Sequence, residues 1–274
     1  MCLLVGICLL SLQCVLAADS GAIQWYKDID RASMAARKTN KPMLLDFSAD
    51  WCAPCKVMEE EVYSDKDLIE VVTRKFVPVK INFDRQRRLA AKYNVNALPY
   101  IVFTDSYGGE LLHWNGLVGA KNLTEILKAL PGDVSEINRF HGMLNQGKDN
   151  FEALEGMGQQ LRATGLYLVS NEYYGKALKN EQAIKIPAKR EWILLEMGLN
   201  YLALRQSREA MKTFEAGVKE FPNSERITTF QLGLGQAYAM GGKKDRARKL
   251  LEAFIREHPG GAESEKAKAL LDSL

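Results

Sequence analysis

Between Met43 and Val62 the hydrophobic period of the sequence changes, and two cysteines stand at the change. Met43 to Phe47 is a short apolar run with the character of a buried strand. Cys52-Ala53-Pro54-Cys55 follows a tight turn, and from there Cys55, Met58 and Val62 recur at i, i+3 and i+7, the spacing of one helix face. Cys52 therefore falls at the mouth of a helix and Cys55 inside its first turn. Unpaired backbone N–H groups and the positive end of the helix dipole favour a thiolate there over a thiol. Pro54 suits the first turn, where its missing N–H had no partner to lose. One turn apart, the second thiol can close a small disulfide and release a partner held by the first.

Length and composition bound the rest. At 274 residues two domains are expected, each able to bury a core. An apolar fraction of 47% with 26% charged residues is that of an ordinary soluble globular chain. A net charge of +3, with no basic stripe interleaved with aromatics, sets nucleic-acid binding aside. Residues 1–18 read as a secretory leader, an apolar run from Cys2 to Leu16 closed by Ala17-Ala18. The leader lacks an N-terminal Lys or Arg, so an uncleaved anchor is the competing reading and the only one that involves a membrane. Cys14 as a lipidated cysteine fits poorly after Ser11-Leu12-Gln13. Cleavage would remove Cys2, Cys8 and Cys14 and leave Cys52 and Cys55 alone. An exported (periplasmic or secreted) chain with one such pair uses it for chemistry rather than as a staple. Zinc needs four ligands, and His113, His141 and His258 are scattered, so neither a metal nor another cofactor is expected.

In chain order, a helix is predicted over Trp25–Lys38, a strand at Met43–Phe47 and the cysteine helix. A helix capped by Asp65 then runs to about Lys75. Val77–Phe83 alternates as a strand, a short helix covers Arg87–Tyr93, and Tyr100–Phe103 and Glu110–Trp114 form a hairpin about Asp105–Gly109. A last helix, Leu123–Leu130, ends at Pro131-Gly132. Strand–helix–strand crossings followed by a hairpin and a helix make an α/β sandwich with a mixed sheet flanked by helices.

These residues carry a resemblance. Trp51-Cys52-Ala53-Pro54-Cys55-Lys56 after a Leu-Asp-Phe strand resembles the active site of the thioredoxin superfamily. Leu98-Pro99 before a strand is similar to its cis-proline loop, and Asp46 with Lys80 to its buried charged pair. Lys41 through Asp67, with Glu59 and Tyr63-Ser64-Asp65, is most similar to the C-terminal periplasmic domain of the membrane thiol:disulfide interchange reductase. The resemblance spans about 22–131. It implies Cys52 as nucleophile and Cys55 as resolving thiol, readings their helix position supports independently. Asp46 is either a polar residue at an exposed strand end or a buried carboxylate that takes the Cys55 proton through a water. Glu59 is either a modulator of the cysteines or a solvated surface residue. Trp51, Pro54, Leu98 and Pro99 make up the expected substrate-contacting set, with Trp51 also readable as packing beside the thiolate.

Beyond Pro131 strand signals cease. Asp133–Leu144 and Phe151–Leu161 read as helices, so 132–161 is expected to be a helical linker and 162–274 a repeat domain. Gly198, Tyr201, Ala210, Phe214 and Pro222 recur 37 residues on as Gly235, Tyr238, Ala247, Leu251 and Pro259 (235 − 198 = 37). The pattern resembles the tetratricopeptide repeat, an all-α array of helix pairs. A fainter copy is placed at Gly165, Leu168 and Ala177, with Pro187 closing early.

The function expected is an exported thiol–disulfide oxidoreductase, a reductase or isomerase of protein disulfides with a redox partner protein, whose repeats bind a peptide or protein. Ala-Pro between the cysteines is similar to the Gly-Pro of reducing thioredoxins. The alternative is a non-enzymatic adaptor or chaperone in which the repeats act and the thioredoxin unit is scaffold. A weaker third reading is a copper or cytochrome-maturation chaperone using the dithiol as ligand.

Overall fold

The computed structural model describes residues 21–274, and the leader expected at 1–18 lies outside the described residues. The apolar run after Pro42 is strand β1 (Met43–Ser48), joined by β2 (Val77–Asn82), β3 (Tyr100–Thr104) and β4 (Glu110–Asn115). The order is β2-β1-β3-β4, with β1 parallel to β2 and antiparallel to β3, and β3 and β4 antiparallel. Alternation along the strands sorts two apolar cores. Met43, Leu45, Phe47, Val79, Ile81 and Val102 face one side, covered by α1 (Ile29–Thr39) and α4 (Arg87–Lys92) through Ala32, Ala36 and Ala90. Leu44, Ile101 and Phe103 face the other, against Leu68, Val72, Leu123 and Leu127 of α3 (Lys66–Lys75) and α5 (Ala120–Ala129).

Local chemistry sets several element ends. The Asp65 carboxylate accepts from the Leu68 N–H at 3.0 Å and starts α3. Asp28 caps α1 in the same way, so that helix begins at Ile29 rather than at Trp25. The residues before it are extended because Tyr26 bonds β2, its N–H on the Pro78 carbonyl and its carbonyl accepting from Lys80, both at 2.9 Å. The cysteine helix, α2 (Ala53–Val57), widens into a π-helical turn over Met58–Val62. The Tyr63 N–H closes that turn on the Met58 carbonyl at 2.8 Å, and Tyr63 is buried along with Met58 and Val62.

The second half is helical: α6 (Ser135–Gln146), α7 (Phe151–Ala163), α8 (Tyr167–Ala177), α9 (Glu181–Lys185), α10 (Pro187–Ala203), α11 (Ser207–Glu220), α12 (Ile227–Met240), α13 (Lys244–Glu257) and α14 (Ala262–Asp272). The stretch 132–161 holds α6 and all but the last two residues of α7, and Ile137, Phe140, Met157 and Leu161 sit in the same apolar cluster as Leu44, Phe103 and Leu127. The sheet, α6 and α7 thus share a core.

One repeat copy is corrected. Gly165 lies in the turn between α7 and α8 at φ 78°, outside any helix. The glycine that packs is Gly158, where an added Cβ would collide with the Tyr174 ring. Gly198 faces Phe214 in the same way at 2.5 Å, and Gly235 faces Leu251 at 2.8 Å. The first copy therefore stands 40 residues before the second (198 − 158 = 40), and α9 occupies the longer connection between the two pairs.

Candidate active site

The site lies just beyond the end of β1. Cys52 is the N-cap of α2, its Sγ accepting from the Cys55 N–H at 3.2 Å. Both cysteines are buried and joined as a disulfide, with Cα atoms 5.3 Å apart. Ala49 shares their cluster, and Phe83 and Leu98 pack against it. The Leu98–Pro99 bond is cis, and the Pro99 carbonyl accepts from the Gly116 N–H at 2.9 Å, which ties that loop to the chain just past β4. Cys52, Cys55 and Leu98 thus come together, with Pro54 in the first turn of α2. Trp51 flanks them as an exposed ring, 66% accessible, rather than a packed one. Its indole N–H donates to Asp84 at 2.8 Å, and Arg87 holds the other oxygen of that carboxylate at 2.6 Å.

Asp46 is not at an exposed strand end. It is the fourth residue of β1, 1% accessible, and directly paired in register with Lys80 of β2. Its Oδ2 accepts from Lys80 Nζ at 2.7 Å and its Oδ1 from the Tyr63 hydroxyl at 2.8 Å. Lys80 also pairs with Glu59, whose side chain is half exposed, and lies 4.5 Å from the ring centres of Trp25 and Tyr63. Burial, then the charge of Asp46 and the hydrogen bond to it, push the Tyr63 phenol well above its ordinary range. A hollow of about 220 Å³ opens beside the second cysteine, lined by Ser48, Cys55, Glu59 and Lys80 among others. Asp46 does not line it.

Chemically, this is a two-electron couple at a helix end, with a charged group of mixed sign behind the inner sulfur. Among the described residues no three His, Cys, Asp or Glu side chains are grouped to hold a metal. No described helix is long and apolar enough to cross a membrane.

A thioredoxin-like domain family matches residues 29–131, and a tetratricopeptide repeat family matches 193–224 and 230–261. Thioredoxin 1 of Chlorobaculum tepidum is 32% identical over 97 residues, which cover 34% of this chain and 90% of that protein. The chain belongs to the thioredoxin family. It is also similar to the thiol:disulfide interchange protein DsbD of Photorhabdus laumondii, at 34% identity over 100 residues, covering 35% of this chain and 17% of that one. The oxidised C-terminal domain of Neisseria meningitidis DsbD aligns at 22% identity with a TM-score of 0.33, covering 38% of this chain and 97% of that chain. The chain spans half or less of the length of the first curated relatives it matches.

Trp25 beside Lys80 and Asp84 under Trp51 join this thioredoxin site without a signal in the sequence, and Tyr63, which the sequence offers only as part of the family resemblance, joins it through Asp46 and Lys80. Tyr63 carried a usable signal, since it follows Glu59 by four residues. The π turn between them hides which way its ring points.

Proposed function

We propose that the protein is a thiol–disulfide oxidoreductase of protein disulfides, acting as a reductase or isomerase. The observation that carries this reading is the buried Cys52–Cys55 disulfide at the N-terminus of α2 with Leu98 packed upon it. The Cys52 thiolate attacks one sulfur of a substrate disulfide, forming a mixed disulfide and expelling the other sulfur as a thiolate. Cys55 then attacks Cys52 Sγ, closing the internal disulfide and releasing the second substrate thiolate. Two electrons pass from the dithiol to the substrate. Leu98, packed on the disulfide just ahead of Pro99, offers its backbone to an extended peptide in strand fashion, with Trp51 and Pro54 at the rim. Asp46 and Glu59 act through Lys80 on the inner thiol.

Similarity to DsbD, a thiol:disulfide interchange protein, supports this chemistry. We read 22–131 as the redox unit and the following helices as a surface that holds a protein partner. An exported location, periplasmic or secreted, agrees with the leader composition. Replacing Cys55 with Ser and isolating the products from the native compartment tests the reading. A mixed disulfide between Cys52 and a protein is expected, and absence of any trapped species would sink it. If partner capture survives Cys52→Ser instead, the helices act without redox chemistry and the adaptor reading takes its place.

A further inference from the structure

We propose that Tyr63 is a positioning residue for the exchange step, fixing the Asp46 carboxylate so that Lys80, rather than the carboxylate, faces the resolving thiol. The consequence rests on the thiol-exchange reading above; the assignment rests on geometry. The two oxygens of Asp46 are held by different donors, Oδ1 by the Tyr63 hydroxyl at 2.8 Å and Oδ2 by Lys80 at 2.7 Å. Lys80 reaches past Asp46 to Glu59. The charged groups lining the hollow beside Cys55 are Lys80 from β2, Glu59 from the π turn, Lys56 from α2 and Asp50 from the loop before it. The ammonium of Lys80 is thus set there against the Glu59 and Asp50 carboxylates, while that of Asp46 is kept out. The groups facing Asp46 are therefore Tyr63 from the end of the π turn and Lys80 from β2, with Glu59 on the far side of Lys80.

Tyr63 acts twice on this arrangement. Its ring lies 4.5 Å from the Lys80 ammonium, with the Trp25 ring at the same distance, and the two rings meet edge to face at 4.9 Å. Its hydroxyl fixes the carboxylate. Burial and the Asp46 and Glu59 charges keep the phenol protonated through neutral pH, so it stays a donor. Hydrogen bonds to a charged group at a buried site are among the stronger ones.

In the resolving step the Cys55 thiol loses its proton to water in the hollow. Its thiolate attacks Cys52 Sγ, the Cys52–Cys55 bond forms, and the bond from Cys52 to the substrate breaks as the substrate thiolate leaves. A positive charge beside Cys55 favours its thiolate. Without the hydroxyl, the carboxylate is free to turn and the ammonium to leave the hollow. Deprotonation of Cys55 then requires a higher pH.

The reduced chain, with Cys2, Cys8 and Cys14 replaced by Ser so that Cys52 and Cys55 are its only thiols, reacted with 5,5′-dithiobis(2-nitrobenzoate) isolates this step. The first thionitrobenzoate reports attack by Cys52, and the second reports resolution by Cys55. Tyr63→Phe keeps the ring, its packing and its contact with Lys80 and removes only the hydroxyl. The second release, relative to the first, is expected to slow about tenfold on the acid side of its pH profile, a shift of about one pH unit. Added to Asp46→Asn, the same change is expected to do nothing further. A wild-type profile in Tyr63→Phe overturns the proposal, as does an equal shift in the Asp46→Asn background. The reagent needs no natural substrate, so failure of the exchange reading, seen as no protein trapped by Cys55→Ser, is distinguishable from failure of this one.

Discussion

Lys80 and Asp46 are cross-strand partners in the parallel β1–β2 pair, their charges 2.7 Å apart on the face of the sheet that carries the inner cysteine's hollow. Lys80→Met keeps an apolar stem but leaves Asp46 a buried charge with one donor. Breaking a buried pair from one side costs about 3–5 kcal/mol. Lys80 keeps 21% of its side chain in solvent, so the cost is reduced. A loss of about 2–3 kcal/mol is expected. Asp46→Asn added to Lys80→Met should restore most of it. Urea unfolding of the three proteins decides, and equal stability of Lys80→Met and the parent would show that the pair behaves as a surface pair.

The helix pairs rest on glycines for close approach, which gives a sharp contrast between positions. A methyl at Gly198 meets the fully buried Phe214 ring at 2.5 Å, while one at Gly175 in α8 meets nothing within 4 Å. Overpacking costs about 1–3 kcal/mol, against a helix gain of up to about 1 kcal/mol for replacing Gly with Ala. Gly198→Ala should therefore melt below the parent and Gly175→Ala at or above it. Gly158→Ala should behave like Gly198→Ala if the corrected register of the first pair is right, and Gly165→Ala should leave helix packing untouched.

Acid should loosen the array at one identifiable place. Arg190 of α10 donates to Glu220 of α11 at 2.7 Å, and that hydrogen bond lowers the Glu220 pKa. A carboxylate whose folded pKa is depressed contributes stability above its unfolded pKa, and that contribution is lost as pH falls through the folded value. Glu220 is more than a third exposed, so the contribution is at most about 1 kcal/mol. Arg190→Gln should be less stable than the parent at neutral pH and indistinguishable from it in strong acid. Parallel urea curves at both pH values provide the check; a constant difference between them would remove Glu220 from the account.

What could be read from the sequence was what depends on neighbours along the chain. The period change at Cys52, the Asp65 cap and the alternation of Val77, Val79 and Ile81 are local, and each element lies where its residues place it. Trp25 to Asp28 departs from the helix its pattern predicts because its backbone is claimed by β2, some fifty residues away. Asp46 left two readings open because its burial depends on Lys80, 34 positions on. Gly165 misled for a different reason. A glycine needed for a left-handed turn and a glycine needed for helix contact are the same letter, and only the Tyr174 ring above Gly158 separates them. Tyr63 was hidden by a π turn, which shifts the facing of every residue after it.

The direction of electron flow can be read as a stability difference. The disulfide closes a loop of only three residue steps, worth about 2 kcal/mol to the oxidised form by chain entropy. The helix end opposes this by favouring a Cys52 thiolate in the reduced form, by up to about 2 kcal/mol. A strong oxidant is one in which the second effect wins, because its reduced form is the more stable. Here Cys52 Sγ accepts one backbone N–H, that of Cys55. No positive side chain is found on that sulfur among the described contacts, and Lys80 lies on the Cys55 side. The oxidised protein should therefore be the more stable, as a reductase requires. Urea unfolding at neutral pH with and without excess dithiothreitol measures the difference. A reduced form that outlasts the oxidised one would reverse the assigned direction while leaving the thiol chemistry in place.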